Sequence, residues 1–342
     1  MATRKLTRAS VSSGRASARP KQHLQSETDT QTGSVALCED FELAVHKFRG
    51  SLGVKRAAGT VDNYTRSATK LLTFLQAKGM KGLQAIRREH VEMWLVAIRA
   101  SGVKPASLRA DFAGAQQFFK YLHEDGEITS TPMAKISPPK VPEQTTPILR
   151  DEDIDKLLAV CKRDKTLWGL RDRAIILTLR WGGLRSMELR NANIEHIEWR
   201  DPGISITRKG GNEAFAPLTP ETMRAINVYL NRRKQYERRK SEWDRSDALF
   251  ISHQGGGRIG KSGLYLMLRR RAQEAGLDPD GFRPHALRHT WATALSDSGV
   301  QEGELRRLGG WTPGSRMVER YTKQTATKRA IASYRKATSK RD

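Results

Sequence analysis

The 342 residues carry 61 Lys and Arg against 37 Asp and Glu, a formal charge of +24 at pH 7. That excess argues against cationic or neutral partners and points to a polyanion. No run approaches the roughly 18 uninterrupted apolar residues of a membrane span, and no apolar segment follows the basic N-terminus, so membrane and secretory roles are excluded.

With 37% apolar residues and 28 glycines the composition is that of a globular chain, and at about 150 residues per domain the length suggests two domains. The cysteines, Cys38 and Cys161, form neither a disulfide framework nor a C-x-x-C pair, which fits a reducing cytoplasm. Residues 1–36 read as a basic, disordered tail in preference to an organelle transit peptide.

From Leu37 the pattern turns helical. Phe41, Ala44, Val45 and Phe48 share a face that Gly50 and Gly53 are expected to interrupt. Thr60 is predicted to cap a second helix carrying Val61, Tyr64, Ala68, Leu71, Leu72 and Leu75 and ending at Gly79. A third places Val91, Trp94, Leu95 and Ile98 inward before Gly102, and a fourth starts at Pro105 and runs through Leu108, Phe112, Phe118 and Leu122 to Gly126. Residues 37–128 are therefore expected to form a small four-helix domain. Pro132, Pro138, Pro139, Pro142 and Pro147 mark 129–147 as an extended linker, leaving 148–342 as a second domain.

In that second domain 151–161 and 167–181 read as helices, and 204–208 and 214–218 as strands of a hairpin about Lys209, Gly210, Gly211 and Asn212. Helices are predicted again over 220–239, 262–275, 284–298, 302–308 and 315–322, with a short strand at 248–252. The fold class is mainly α with a small β-sheet.

Along this domain come Arg185 and Glu188, then Lys209, then His285, Arg288 and His289, then Trp311 and Tyr321. Two arginines, a lysine, a histidine and a tyrosine are the parts needed to cut a phosphodiester covalently. A tyrosine of pKa about 10 must lose its proton as it attacks phosphorus, and His285 is the candidate base. Charge building on the non-bridging oxygens suits the planar, permanently charged forks of Arg185 and Arg288. The departing 5′ oxygen needs a proton, for which Lys209 is the candidate acid, and the indole N–H of Trp311 adds a neutral donor. Glu188 is expected to orient its basic neighbours, and His289 to pack behind them. A phosphotyrosine ester keeps roughly the free energy of the broken bond, so a free 5′ hydroxyl can reseal the strand without nucleotide or metal, and no cofactor is expected.

These ordered motifs resemble the tyrosine recombinase, or phage integrase, family in its Cre- and Xer-like form, over about residues 37–335. The resemblance implies that Arg185, Lys209, His285, Arg288, Trp311 and Tyr321 carry the catalytic roles and that Glu188 is the accessory acid. It implies that 37–128 is a SAM-like, DNA-binding core-binding domain, closing with a catalytic domain as a clamp on duplex DNA with inverted-repeat sites. It also implies four protomers exchanging strands through a Holliday junction, with monomers when free, accessory DNA-bending or directionality proteins, a mobile-element setting and association with the nucleoid. Two positions depart from the family pattern: Gly183 leads the first arginine motif, and the stretch from Trp311 to Tyr321 is one residue longer than usual. Pro313 and Gly314 are expected to absorb the extra residue in a loop, and Tyr334 is the rival nucleophile.

His285 and His289 have the i, i+4 spacing of a zinc pair, but the usual glutamate is missing and Arg288 would repel a cation. Residues 255–262 match G-x-x-x-x-G-K-S literally, yet no later strand supplies a magnesium-binding aspartate; a Gly-rich connector whose Lys261 meets DNA phosphate is preferred. The basic runs Arg232, Arg233, Lys234, Arg238, Arg239, Lys240 and Arg269, Arg270, Arg271 are expected on the duplex backbone. After Tyr321, Ala326, Ala330, Ile331 and Tyr334 suggest a C-terminal helix that docks on a neighbouring protomer. A non-catalytic DNA-binding regulator and a type IB topoisomerase are the alternative functions.

Overall fold

Phe41, Ala44, Phe48 and Leu52 recur at helical spacing and are all buried along α1, Glu39–Lys55. In this computed structural model the described residues are 36–142, 147–208, 210–239 and 246–315, with 318, 319, 330, 331, 334, 335 and 338. Contacts divide the chain into two units, Met1–Glu143 and Gln144–Asp342. The helix α1 passes through Gly50 and Gly53, where the sequence predicts a break. Both glycines face open space, where each costs only about 1 kcal/mol, and Leu52 continues the buried face one turn beyond Phe48.

Among the described residues of the first unit three further α-helices follow, α2, Ala58–Ala77, α3, Arg88–Ala100, and α4, Pro105–Glu124, with a 3-10 turn at Leu83–Ala85. Thr60 is not the cap of α2. The helix starts at Ala58, and the Thr60 N–H donates to the Ala57 carbonyl at 2.8 Å, so the first turn closes without a side-chain cap. The core is aromatic, with Phe48 and Phe118 edge to face at 5.3 Å beside Phe41, Trp94, Phe112 and Phe119. Gly114 lets α4 approach α2, since a Cβ there would lie 2.4 Å from Ser67 Cβ.

The second unit is built around α6, Leu167–Gly182, whose Ala174, Ile175, Ile176, Leu177 and Leu179 are fully buried on every side. Against it pack α5, Asp151–Arg163, α8, Pro220–Glu237, α9, Lys261–Glu274, and α10, Pro284–Asp297. Two short helices, α7, Ser186–Asn191, and α11, Glu302–Gly309, border the site described below. The sheet is antiparallel in the order β1, Ile197–Glu198, β2, Gly203–Thr207, β3, Glu213–Pro217. Ile204 faces Ala216 and Ile206 faces Ala214, so one face of the hairpin enters the core. Both hairpin strands begin and end one residue earlier than predicted, and β1 is too short to leave a periodic signal.

The predicted strand at 248–252 forms single bridges instead, Asn193 with Ala248 and Ile251 with Arg258. Gly255 and Gly256, both at positive φ, reverse the chain, so the Ile259 N–H reaches the Phe250 carbonyl at 3.0 Å and pairing ends there. The G-x-x-x-x-G-K-S segment is thus an antiparallel turn leading into α9, not the loop of a parallel βαβ unit. Among the described residues, no helix is long and apolar enough to cross a membrane.

Two arginines assigned to DNA contact are structural instead. Arg233 is 2% exposed and donates to the carbonyls of Ser246, Ala248 and Leu249 and to Glu237. Arg271, also buried, pairs with Asp164, Asp172 and Glu274. Successive residues on a helix are turned by about 100°, so a run of consecutive arginines cannot share one face, and these two point inward.

Candidate active site

The first arginine motif sits where α6 gives way to α7. Gly183 ends α6 in the left-handed conformation, φ 59°, and a Cβ there would lie 2.2 Å from the Trp291 indole. The glycine is therefore required twice, by conformation and by packing. Buried Leu184 then anchors the turn, and Arg185 caps α7 from outside. Its N–H donates to Glu188 Oε2 at 2.7 Å and its guanidinium to Glu188 Oε1 at 2.7 Å. Glu188 also lies 3.9 Å from Arg288 Nη1, so one buried carboxylate serves both arginines.

Arg288 enters from α10, one turn beyond Pro284, and is 4% exposed. Its guanidinium donates to the carbonyls of Gly183 and Gly309 and lies over the Trp311 ring at 4.7 Å. The Trp291 ring lies 5.8 Å from the same guanidinium and 6.3 Å from Trp311 between ring centres. His285 is exposed at the start of the same helix, and His289 is buried one turn later.

The third contributor is α11. It ends at Gly309, against which Trp311 folds back so closely that a Cβ would lie 1.9 Å from the indole, and Gly310 follows at φ 60°. Three guanidiniums from three elements converge on this helix end. Arg208 donates to the Arg307 and Leu308 carbonyls at 2.9 and 2.6 Å, Arg288 to Gly309 O, and Arg185 to Gly310 O at 2.8 Å. The negative end of the α11 dipole and the Glu188 carboxylate offset the repulsion among the three cations. Burial holds the Arg208 guanidinium below the ordinary arginine range; Glu188 opposes that shift and Arg185 adds to it.

Arg185, Glu188, Arg288 and Trp311 are thus brought together as parts of one cluster; His285 and His289 stand on the same helix as Arg288, one exposed and one buried, and Lys209 and Tyr321 lie outside the described residues. So do most of the helix predicted over 315–322 and of the C-terminal docking segment. Val318, fully buried in a small core with Trp291, Ala292 and Leu305, anchors the chain three residues before Tyr321. Arg208 and Val318 escaped the sequence reading. Arg208 carried one weak signal, a cation adjoining Lys209 at a strand end; Val318 carried none, because its partners are distant in sequence.

The outer basic residues are less uniform than predicted. Lys261 is exposed at the first turn of α9, Arg269 pairs with Asp280, and Arg270 pairs with Asp172 at 3.1 Å while remaining half exposed.

A cluster of fixed guanidiniums on a largely helical scaffold is suited to holding a phosphate. Comparison with known proteins gives the site its family. The phage integrase family matches residues 147–328, and the N-terminal SAM-like domain of phage integrases matches residues 47–126. Tyrosine recombinase XerD of Listeria monocytogenes serotype 4b is 28% identical over 255 residues, 74% of this chain and 84% of the relative. Tyrosine recombinase XerC of Salmonella typhi is 28% identical over 269 residues, 77% and 84% of the two chains. Among solved structures, XerH site-specific recombinase bound to palindromic difH substrate has a TM-score of 0.64 at 19% identity, covering 84% of this chain and 83% of that one. The Tn1549 transposon integrase in complex with transposon right end DNA has a TM-score of 0.61 at 14% identity, covering 81% and 94%. The chain belongs to the phage integrase family, the tyrosine-type site-specific recombinases.

Proposed function

We propose that the chain cuts and rejoins duplex DNA at specific inverted-repeat sites through Tyr321, with the roles divided as follows. Arg185 and Arg288 bind the non-bridging oxygens of the scissile phosphate, and Glu188 holds both in register. The Tyr321 oxygen attacks phosphorus and gives up its proton to His285, and the phosphorane charge falls on the two guanidiniums and the Trp311 N–H. The P–O5′ bond then breaks, its electron pair going to O5′, which takes a proton from Lys209. Attack by a free 5′ hydroxyl on the phosphotyrosine runs these steps backwards and reseals the strand.

The observation that supports this reading most is the shared carboxylate: Glu188 contacts Arg185 at 2.7 Å and approaches Arg288 to 3.9 Å, which sets two forks side by side as a phosphate requires. Strand exchange takes place in a tetramer on DNA, formed from monomers, with the residues after Tyr321 docked on the neighbouring protomer. A nicked suicide duplex carrying the site tests the assignment. Wild type and Tyr334→Phe are expected to accumulate a covalent protein–DNA product and Tyr321→Phe none; trapping by Tyr321→Phe would reject it.

A further inference from the structure

Arg208 directly precedes Lys209 in the chain, and its guanidinium is held by main-chain carbonyls. It is half-buried and spans two successive carbonyls of the α11 end, Arg307 and Leu308, at 2.9 and 2.6 Å. Gly310 lies flat against it: a Cβ at 310 would fall 2.5 Å from Arg208 Nη1. The main chain of Arg208 is held as well, since its N–H donates to Asn212 O at 2.8 Å and its carbonyl accepts from the Gly211 N–H at 3.1 Å. Gly210 and Gly211, at φ 95° and 83°, supply no side chain to stiffen the turn. The two side-chain hydrogen bonds of Arg208 tie this end of the hairpin to α11.

From this geometry we propose that Arg208 is a positioning residue for the general acid: it clamps the base of the β2–β3 turn to the C-terminus of α11 and thereby sets where the next residue can deliver its proton. The helix end is the feature against which Arg185 and Arg288 are also registered, through Gly310 and Gly309. One rigid element therefore aligns the phosphate-binding forks with the turn that carries the acid. The inference rests on the reading of Lys209 as general acid.

Leaving-group chemistry separates this role from a general structural one. An alkoxide needs a proton to depart, whereas a thiolate, of ordinary pKa about 8.5, leaves without one. Single-turnover cleavage is measured on matched duplexes with oxygen or sulfur at the 5′ bridging position of the scissile phosphate. Arg208→Gln and Lys209→Ala are each expected to lose roughly 100-fold on the oxygen substrate and to approach wild type on the sulfur substrate, whereas Arg185→Ala stays slow on both. Rescue of Lys209→Ala with no rescue of Arg208→Gln overturns the positioning role and leaves the acid assignment standing. Failure to rescue either variant overturns both, and wild-type cleavage of the oxygen substrate by Arg208→Gln overturns the proposal alone. If Arg208→Gln does not fold, as judged by its melting transition, Arg208→Lys is read by the same criteria, since it keeps the charge and loses the two-pronged contact.

Discussion

Arg185 and Glu188 meet twice, main chain to carboxylate and guanidinium to carboxylate, each at 2.7 Å. The first bond starts α7 and the second aims the fork, so the helix boundary and the aim of the site depend on one buried acid. Removing its charge leaves Arg288, 4% exposed, beside an uncompensated neighbour. Glu188→Gln is therefore expected to cost roughly 3 kcal/mol of stability in urea titration and to slow cleavage at least tenfold. Unchanged stability together with unchanged cleavage would show that the carboxylate organises neither arginine.

Gly183→Ala meets two obstacles, a left-handed backbone and the Trp291 ring at 2.2 Å from the new carbon. A rigid indole cannot yield as a flexible chain end does. A loss of about 2–4 kcal/mol is expected from strain plus overpacking, read as a lower urea midpoint. Gly210→Ala, where a Cβ meets nothing, serves as the comparison with backbone strain alone.

The basic runs are expected to divide by exposure. Arg233→Ala strips hydrogen bonds from three carbonyls and from Glu237, so it lowers stability by several kcal/mol. Arg232→Ala, on the exposed face, leaves stability unchanged and reduces the slope of log affinity against log salt by about 1 if it meets a phosphate. The opposite pattern in melting and salt-titrated binding would reverse the assignment of the two side chains.

Burial pushes the Cys161 thiol up to about 12. Above the ordinary thiol pKa of about 8.5 the unfolded chain releases a proton that the folded chain retains, so stability falls as pH rises through that window, by up to ~1.4 kcal/mol per unit. Cys161→Ala is expected to flatten that decline. Parallel stability curves for the two proteins above the ordinary thiol pKa would contradict it.

Much of the fold was legible because its signals are local. The aromatic stripe of α4 and the apolar run of α6 are written at helical spacing, and Gly79, Gly102 and Gly126, all at positive φ, follow the helix ends predicted from them. The class of chemistry was legible because Arg185, Glu188, Arg288 and Trp311 stand in a fixed order along the chain, and a planar guanidinium fork suits a phosphate better than a lysine does. What the sequence did not disclose depends on distant partners. Arg233 and Arg271 look like their exposed neighbours until three carbonyls or three carboxylates close around them. Arg208 looks like a surface cation until α11 ends beside it. Segment 248–252 has a strand's composition, but pairing is decided by where Gly255 and Gly256 turn the chain.

The most direct test of the account locates the ester itself. Protein trapped on a suicide duplex is digested with nuclease and trypsin, and the peptide that retains a nucleotide is identified by mass. The account predicts the label on the fragment Tyr321-Thr322-Lys323, which follows Arg320. A label on the fragment that begins at Ala330 and contains Tyr334, or on any other residue, would contradict it.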